Sequence, residues 1–173
     1  PMVAALGRAS EEIRHQWIDA LEHPGKARAW DLSVLNPTDR ETAGVLTGGN
    51  LAVLGALLGT PCQPRLSGRI LFIEDVGERP YRVDRVLTSM KQAGLFDGLA
   101  GLIVGAFTEA EPGADGVTTE EVIAGHFTGA PFPVLTGFPA GHIDENVPIP
   151  FGAKARITGG RLEILPAGAV DLT

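Results

Sequence analysis

The chain has 173 residues, 44% of them hydrophobic and 20% charged, which is ordinary for one globular domain or a domain with an extra arm. A net charge of −7 argues against a nucleic-acid binder, because phosphate contacts need clustered Lys or Arg and the basic residues here are scattered. The one cysteine, Cys62, excludes an internal disulfide and the common cysteine-rich zinc sites. No apolar stretch approaches the roughly 20 residues of a membrane span. We therefore expect neither a nucleic-acid nor a membrane partner, and we predict that Cys62 is a packed thiol.

The first predicted element is a helix over residues 10–22. Ser10 can cap it, and an apolar stripe follows at helical spacing: Ile13, Trp17, Ile18 and Leu21. The sequence His23-Pro24-Gly25 ends it. Residues 27–37 look irregular, with a possible short strand over 33–35. This opening segment is predicted to be an arm that reaches the main body through a linker.

The compact domain is predicted to begin near Ala43 with a strand over residues 43–47. Gly48, Gly49 and Asn50 then read as a tight turn before an apolar helix over 51–58. Free backbone N–H groups at such a helix start can hold an anion, for example a substrate carboxylate. The alternative is a plain Asn cap after a glycine turn. We carry these three residues as candidate substrate-binding positions.

An apolar run over residues 70–73 predicts a buried strand, and three carboxylates follow it: Glu74, Asp75 and Glu78. A helix is predicted over 81–93, ended by Gly94. Acidic side chains at a strand-to-helix junction lie where open α/β structures place their chemistry. Asp75 or Glu78 could instead cap the following helix. Glu74, the first residue past the apolar run, is predicted to be the functional carboxylate.

The remainder alternates short strands with one helix. Strands are predicted over 99–105 and 132–137, a helix over 118–127, and two final strands over 153–157 and 162–165 joined by Gly159-Gly160. His126, near a helix end, is assigned a structural role. His142 follows a glycine in a proline-flanked loop just past a strand. The pattern indicates a mixed α/β domain, either a small barrel or a sheet flanked by helices.

Glu74 and His142 together suggest hydroxyl-based acyl transfer. In that chemistry a carboxylate orients a histidine, which then deprotonates the nucleophile. The alternative is that each residue serves a separate structural network. A nucleophile is missing from the pattern, because none of the four serines, Ser10, Ser33, Ser67 and Ser89, has a strand–turn–helix elbow. Cys62 lacks an activating partner, and Gly48-Gly49 lacks the Lys and Ser or Thr of a Walker loop.

Six motifs follow one another along the chain: Gly48-Gly49-Asn50-Leu51, Leu58-Gly59-Thr60-Pro61, Ile70 through Val76, Tyr81-Arg82-Val83-Asp84-Arg85, Gly101 through Gly105, and Gly141-His142 through Pro150-Phe151-Gly152. In this order and spacing they strongly resemble the LD-carboxypeptidase family, the serine peptidases that trim murein tetrapeptides. The resemblance covers about residues 30–165. It corresponds to the family's C-terminal domain, a swivelling β/α barrel-like unit with flanking helices.

The resemblance implies a division of the chain. Residues 29–173 would be the LD-carboxypeptidase C-terminal domain, and residues 1–28 an interdomain arm or the tail of a missing N-terminal domain. That domain would carry the nucleophilic serine. We therefore expect a fragment that is inactive by itself, with a surface that exposes Glu74 and His142.

The resemblance also implies a function. Glu74 and His142 fall on the family's triad glutamate and histidine, and the serine would attack the bond between diaminopimelate and D-alanine. No metal or organic cofactor is implied. The family's members typically form homodimers and work in the cytoplasm in cell-wall (peptidoglycan) recycling. Two alternatives remain open: a relative that cleaves a peptide-nucleotide antibiotic, and a noncatalytic binding or dimerisation module.

Overall fold

One eight-stranded sheet organises the computed structural model, which describes residues 6–37 and 40–167. In chain order the strands are β1 (Arg28–Asp31), β2 (Ser33–Val34), β3 (Thr42–Asn50), β4 (Arg69–Val76), β5 (Gly101–Thr108), β6 (Val134–Thr136), β7 (Lys154–Thr158) and β8 (Arg161–Ile164). Their order across the sheet is β1-β8-β7-β3-β4-β5-β6-β2. Strands β3 to β6 are parallel neighbours, and the remaining pairings are antiparallel.

The sheet is curled into a nearly closed barrel because its two edge strands are consecutive in the chain. β1 pairs with β8, and β2 pairs with β6 at the other edge. Leu32, the residue between β1 and β2, donates its N–H to the carbonyl of Gly160, and Leu35 donates to Val134. One short segment therefore satisfies both edges, which would otherwise expose unpaired backbone groups. The predicted mixed α/β, barrel-like fold with flanking helices is confirmed.

Four helices lie entirely within the described residues: α1 (Glu11–Glu22), α2 (Leu51–Ala56), α3 (Pro80–Gln92) and α4 (Thr119–Phe127). The Ser10 side chain caps α1 by accepting from the N–H of Ile13, and Thr118 forms a capping box with Glu121 at α4. Pro80 occupies the first turn of α3, where its missing N–H costs nothing. Within the described residues no helix is both long and apolar enough to span a bilayer.

The pleat of β4 separates two hydrophobic cores. Leu71 and Ile73 pack with apolar residues of α2, α3 and α4. Ile70 and Phe72 face the other way and pack inside the barrel with residues of β3, β5 to β8 and α1. Successive side chains of a strand point to opposite faces, so an apolar run with no polar interruption is what a strand buried on both faces requires. The same alternation applies to the two carboxylates that follow.

Several predicted boundaries are wrong in an informative way. The strand predicted over 43–47 runs through Asn50, so Gly48 and Gly49 lie inside β3 and form no turn. The strand predicted over 70–73 extends to Val76 and includes Glu74 and Asp75. β1 lies in a stretch read as irregular. His142 lies in a loop, and the preceding strand ends at Thr136 rather than next to it.

Three predicted environments are also wrong. Cys62 is exposed rather than packed, because it lies in a surface turn after α2. On α1 only Ile13 of the apolar stripe is buried, whereas Ile18 and Leu21 are exposed by 51% and 76%. Asp75 and Glu78 do not cap α3, whose cap position is Arg79 and has no side-chain hydrogen bond. Glu78 instead forms a partly exposed ion pair with Arg82 at 3.6 Å.

Gly48 and Gly49 offer a matched test of backbone constraint. Both have φ near +140°, which side chains disfavour, but a Cβ at Gly48 would overlap the Phe72 carbonyl, whereas one at Gly49 has open space within 4 Å. We expect Gly49→Ala to cost about 1–3 kcal/mol from backbone strain alone. Gly48→Ala should cost more, because β3 must also separate from β4. Urea unfolding of both variants measures the difference, and equal losses would contradict the argument.

Candidate active site

Glu74 lies where the pairing of β4 with β5 is irregular. Ile73 pairs with Val104 and Asp75 with Phe107, so Glu74 is opposite two residues, Gly105 and Ala106. A bulge of this kind bends a strand and re-aims its side chains. Glu74 points away from α2, α3 and α4, toward the barrel side, and its side chain is only 8% exposed. The predicted exposure of this carboxylate is therefore wrong, since the barrel wall itself buries it.

His142 contacts Glu74 directly. Its Nδ1 atom lies 2.8 Å from Glu74 Oε2, and its side chain is 46% exposed. A carboxylate oxygen accepts hydrogen bonds, so Nδ1 is the donor and the lone pair of Nε2 stays available. The two residues that we paired from the sequence thus form one hydrogen-bonded unit, with a buried carboxylate behind a half-exposed imidazole.

Gly141 makes this contact possible. Its φ of +137° is one that residues with a side chain rarely adopt. A Cβ at this position would also lie 3.1 Å from Glu74 Oε2 and 3.2 Å from Ala106 Cβ. Contacts that tight require neighbours to shift. The glycine before the histidine therefore lets the loop backbone approach both the carboxylate and the bulge of β5.

A cavity of about 370 Å³ opens beside the pair. Its walls are mainly apolar, and its polar lining includes Arg8, Glu74, His142, Asp144 and Asn146. None of the residues that line it in the described part of the chain is a serine, cysteine or lysine. A histidine held by a carboxylate at a cavity can relay a proton. None of the described residues that line the cavity supplies a nucleophile for this histidine to activate.

Of the three candidate substrate-binding residues, only Gly49 lines this cavity. Gly48 is packed against the backbone of Phe72. The side chain of Asn50 caps α2 by accepting from Val53 N–H at 3.0 Å, and it donates to Asp75 at 2.6 Å. The Asn-cap alternative therefore describes what the side chain of Asn50 does in this structure.

Asp75 points to the helix face of β4 and joins that strand to α2. Its carboxylate accepts hydrogen bonds from Asn50 Nδ2 at 2.6 Å, Ala52 N at 2.9 Å and Val76 N at 2.8 Å. It is 3% exposed. A buried anion is tolerable when donors and a helix N-terminus surround it. Asp75 therefore anchors α2, the helix that precedes it in the chain. The adjacent residue, Glu74, lines the cavity instead.

Two other polar features bear on the site. His126 also has a carboxylate partner, Asp84, at 2.8 Å between Nε2 and Oδ1, but neither residue lines the cavity. The described residues include no cluster of three or more His, Cys, Asp or Glu side chains suited to a metal ion. Sequence reasoning missed Trp17 and Asn146, which line the cavity. The sequence did contain a signal for Asn146, because this asparagine follows the Gly141-His142 pair by four positions.

Comparisons with known proteins agree with this architecture. A family model described as the LD-carboxypeptidase C-terminal domain matches residues 43–157. The match identifies the chain as a domain of a carboxypeptidase family. More specifically, the chain belongs to the LD-carboxypeptidase family, of which it has the C-terminal domain.

Individual relatives carry related names. The "Probable murein peptide carboxypeptidase" of Bacillus subtilis strain 168 is 37% identical over 131 residues, 74% of this chain and 41% of that protein. The microcin C7 self-immunity protein MccF of Escherichia coli is 30% identical over 115 residues, 66% of this chain and 33% of that protein. The crystal structure of muramoyltetrapeptide carboxypeptidase from Oxalobacter formigenes aligns with a TM-score of 0.77 at 30% identity, covering 90% of this chain and 55% of that one. The chain thus spans about two fifths of the length of the first of these relatives.

The different tasks of Asp75 and Glu74 can be tested by stability. Asp75→Ala leaves the buried N–H of Ala52 and the Asn50 amide without their acceptor, so we expect a loss of about 2–4 kcal/mol in the free energy of unfolding. Asp31, paired with Arg161 but 81% exposed, supplies the control, and Asp31→Ala should cost less than about 1 kcal/mol. Urea unfolding measures both. Similar small losses for the two variants would show that Asp75 does not anchor α2.

Proposed function

We propose that this chain supplies the Glu and His of a Ser-Glu-His triad in an LD-carboxypeptidase that hydrolyses the diaminopimelate–D-alanine bond of murein tetrapeptides. The observation that carries the proposal is the 2.8 Å contact between His142 Nδ1 and Glu74 Oε2 at the wall of a cavity. Membership of the LD-carboxypeptidase family and the names of two relatives support the substrate.

Each residue of the pair has its own role in the proposed reaction. Glu74 holds the imidazole with the proton on Nδ1, and its burial keeps competing water away from that bond. His142 Nε2 accepts the proton of the serine hydroxyl as its oxygen attacks the amide carbonyl. The same nitrogen then returns the proton to the departing D-alanine amine. In the second half, His142 takes a proton from water as the water oxygen attacks the acyl carbon, and it returns that proton to the serine oxygen as the tripeptide is released.

The nucleophile and the donors that stabilise the oxyanion are proposed to come from an N-terminal domain outside these 173 residues. Two observations support this. The chain spans about two fifths of a relative's length, and none of the described serines lines the cavity. Residues 1–28 would then belong to the connection between the domains. The chain alone is proposed to be inactive, and the whole protein to act as a cytoplasmic homodimer in peptidoglycan recycling without a cofactor.

The test uses a protein that joins this chain to such a serine-bearing domain. His142→Ala and Glu74→Ala should each reduce release of D-alanine from murein tetrapeptide by about 10³-fold or more, because triad members act as a unit. The measurement is kcat/KM from chromatographic quantification of D-alanine. Undiminished turnover by the His142→Ala protein would refute the assignment.

His126→Ala provides the matched control. It removes a histidine that also contacts a carboxylate at 2.8 Å but lies outside the cavity. Its kcat/KM should stay within about threefold of the wild-type value after correction for folded protein. Equal losses in His126→Ala and His142→Ala would indicate general destabilisation rather than chemistry.

A second candidate substrate is a peptide-nucleotide antibiotic, favoured by the similarity to the microcin C7 self-immunity protein. The aromatic side chains that line the cavity, Trp17, Phe72 and Phe151, could also stack on a planar base. The same joined protein should be offered both substrates. We expect kcat/KM to be at least about tenfold higher for the murein tetrapeptide. The reverse ratio would favour the antibiotic, and turnover of neither would favour a noncatalytic module.

A further inference from the structure

The loop that carries His142 is closed at its base by backbone bonds. Val147 N–H donates to Pro139 O at 2.9 Å, and Ala140 O accepts from Ala106 N–H at 2.9 Å. Between these points lies Gly141, whose φ of +137° is accessible to glycine and disfavoured for residues with a side chain. The ring contact with Glu74 is one constraint on the loop. His142 O and Thr108 Oγ1, 3.4 Å apart, add a weak one.

Asn146 supplies a stronger constraint from inside the loop. Its Oδ1 atom accepts the N–H of Gly141 at 3.0 Å, so it restrains the Ala140–Gly141 peptide, one peptide before that of His142. Because a Cβ at position 141 would lie 3.1 Å from Glu74 Oε2 and 3.2 Å from Ala106 Cβ, the backbone of Gly141 runs close to both residues. The Asn146 bond and the Ala106 bond hold the N–H and the carbonyl of this peptide, and the position of the peptide sets where the next residue, His142, meets Glu74.

Helix α1 and the residues before it hold the far side of the same loop. Trp17 Nε1 donates to Asn146 O at 2.6 Å, and the Ser10 N–H and hydroxyl donate to Glu145 at 2.8 and 2.6 Å. Arg8 contacts Asp144 at 2.7 Å. Three consecutive loop residues are thus bound by one helix and its N-terminal flank. The Arg8 pair is exposed and contributes little, whereas the Trp17 and Asn146 bonds are partly buried.

We propose that Asn146 is a positioning residue for His142, and that Trp17 holds Asn146 in place. This inference rests on the proposed function of His142 but concerns a different residue. Because Asn146 accepts through Oδ1, an aspartate at this position can still accept the Gly141 N–H, whereas an alanine cannot. Comparing Asn146→Asp with Asn146→Ala therefore tests whether the hydrogen bond to Gly141 is what positions His142.

The first experiment uses the 173-residue chain and needs no activity. Amide exchange of Gly141 should accelerate about fivefold in Asn146→Ala, the equivalent of losing one hydrogen bond. The His142 ring signal, assigned in nitrogen-15 spectra by comparison with His142→Gln, should lose the Nδ1–H resonance of the Glu74-bound form. Asn146→Asp should restore both the slow amide exchange of Gly141 and the Nδ1–H resonance of His142. Unchanged exchange and an unchanged ring signal in Asn146→Ala would overturn the proposal.

The second experiment measures kcat and KM separately in the joined protein. Asn146→Ala should lower kcat by about 10- to 100-fold, since small misplacement of a catalytic group has effects of this size. KM should change less than about threefold. Asn146→Asp should recover most of the kcat. Equal losses in both variants, or a loss that parallels the unfolded fraction measured by circular dichroism, would overturn the positioning role.

Trp17→Phe tests the other half of the proposal. It keeps an aromatic ring in the cavity and removes the N–H, so kcat should fall about fivefold. Trp30→Phe is the matched control, because Trp30 packs edge-on against Phe138 at 5.0 Å and does not line the cavity. Equal effects of the two would refute the Trp17 role. If the wild-type joined protein fails to release D-alanine, the proposed function fails, and the spectra of the chain still decide the positioning of His142.

Discussion

The alternation of side chains along β4 is the constraint on which the site depends. Adjacent residues of a strand face opposite sides, so Glu74 and Asp75 cannot serve the same partner. Glu74 continues the barrel face of Ile70 and Phe72, and it meets His142. Asp75 continues the face of Leu71 and Ile73, and it meets the N-terminus of α2. Of these two neighbouring carboxylates, Asp75 therefore anchors a helix and Glu74 is a candidate catalytic group.

This division gives each buried charge its own compensation. Three donors surround Asp75, one of them the N–H of Ala52 at the start of a helix. Glu74 has the imidazole of His142. Neither carboxylate could be buried without such partners, because an isolated charge in an apolar core is costly. The bulge opposite Glu74 and the glycine at position 141 bring the loop close enough for that contact.

Most of the fold could be predicted from local patterns. Uninterrupted apolar runs indicated the central strands, and the Ser10 and Thr118 caps marked two helices correctly. The pairing of Glu74 with His142 was also predicted, with help from the family resemblance. The short edge strand β1 was missed because its pairing with β8 depends on residues far along the chain. The role of Asp75 was missed for the same reason, since the two donors that link it to α2, Asn50 and Ala52, precede it by more than twenty residues.

The closure of the sheet has a consequence for how the domain folds. β1 completes its ladder only on β8, the last strand among the described residues. The segment that bridges the two edges must therefore wait until nearly the whole domain has assembled. Pairings of such large sequence separation slow folding, because chain entropy is lost before the contacts repay it. During synthesis, β3 to β6 can pair as they emerge, while the barrel stays open until the final hairpin arrives.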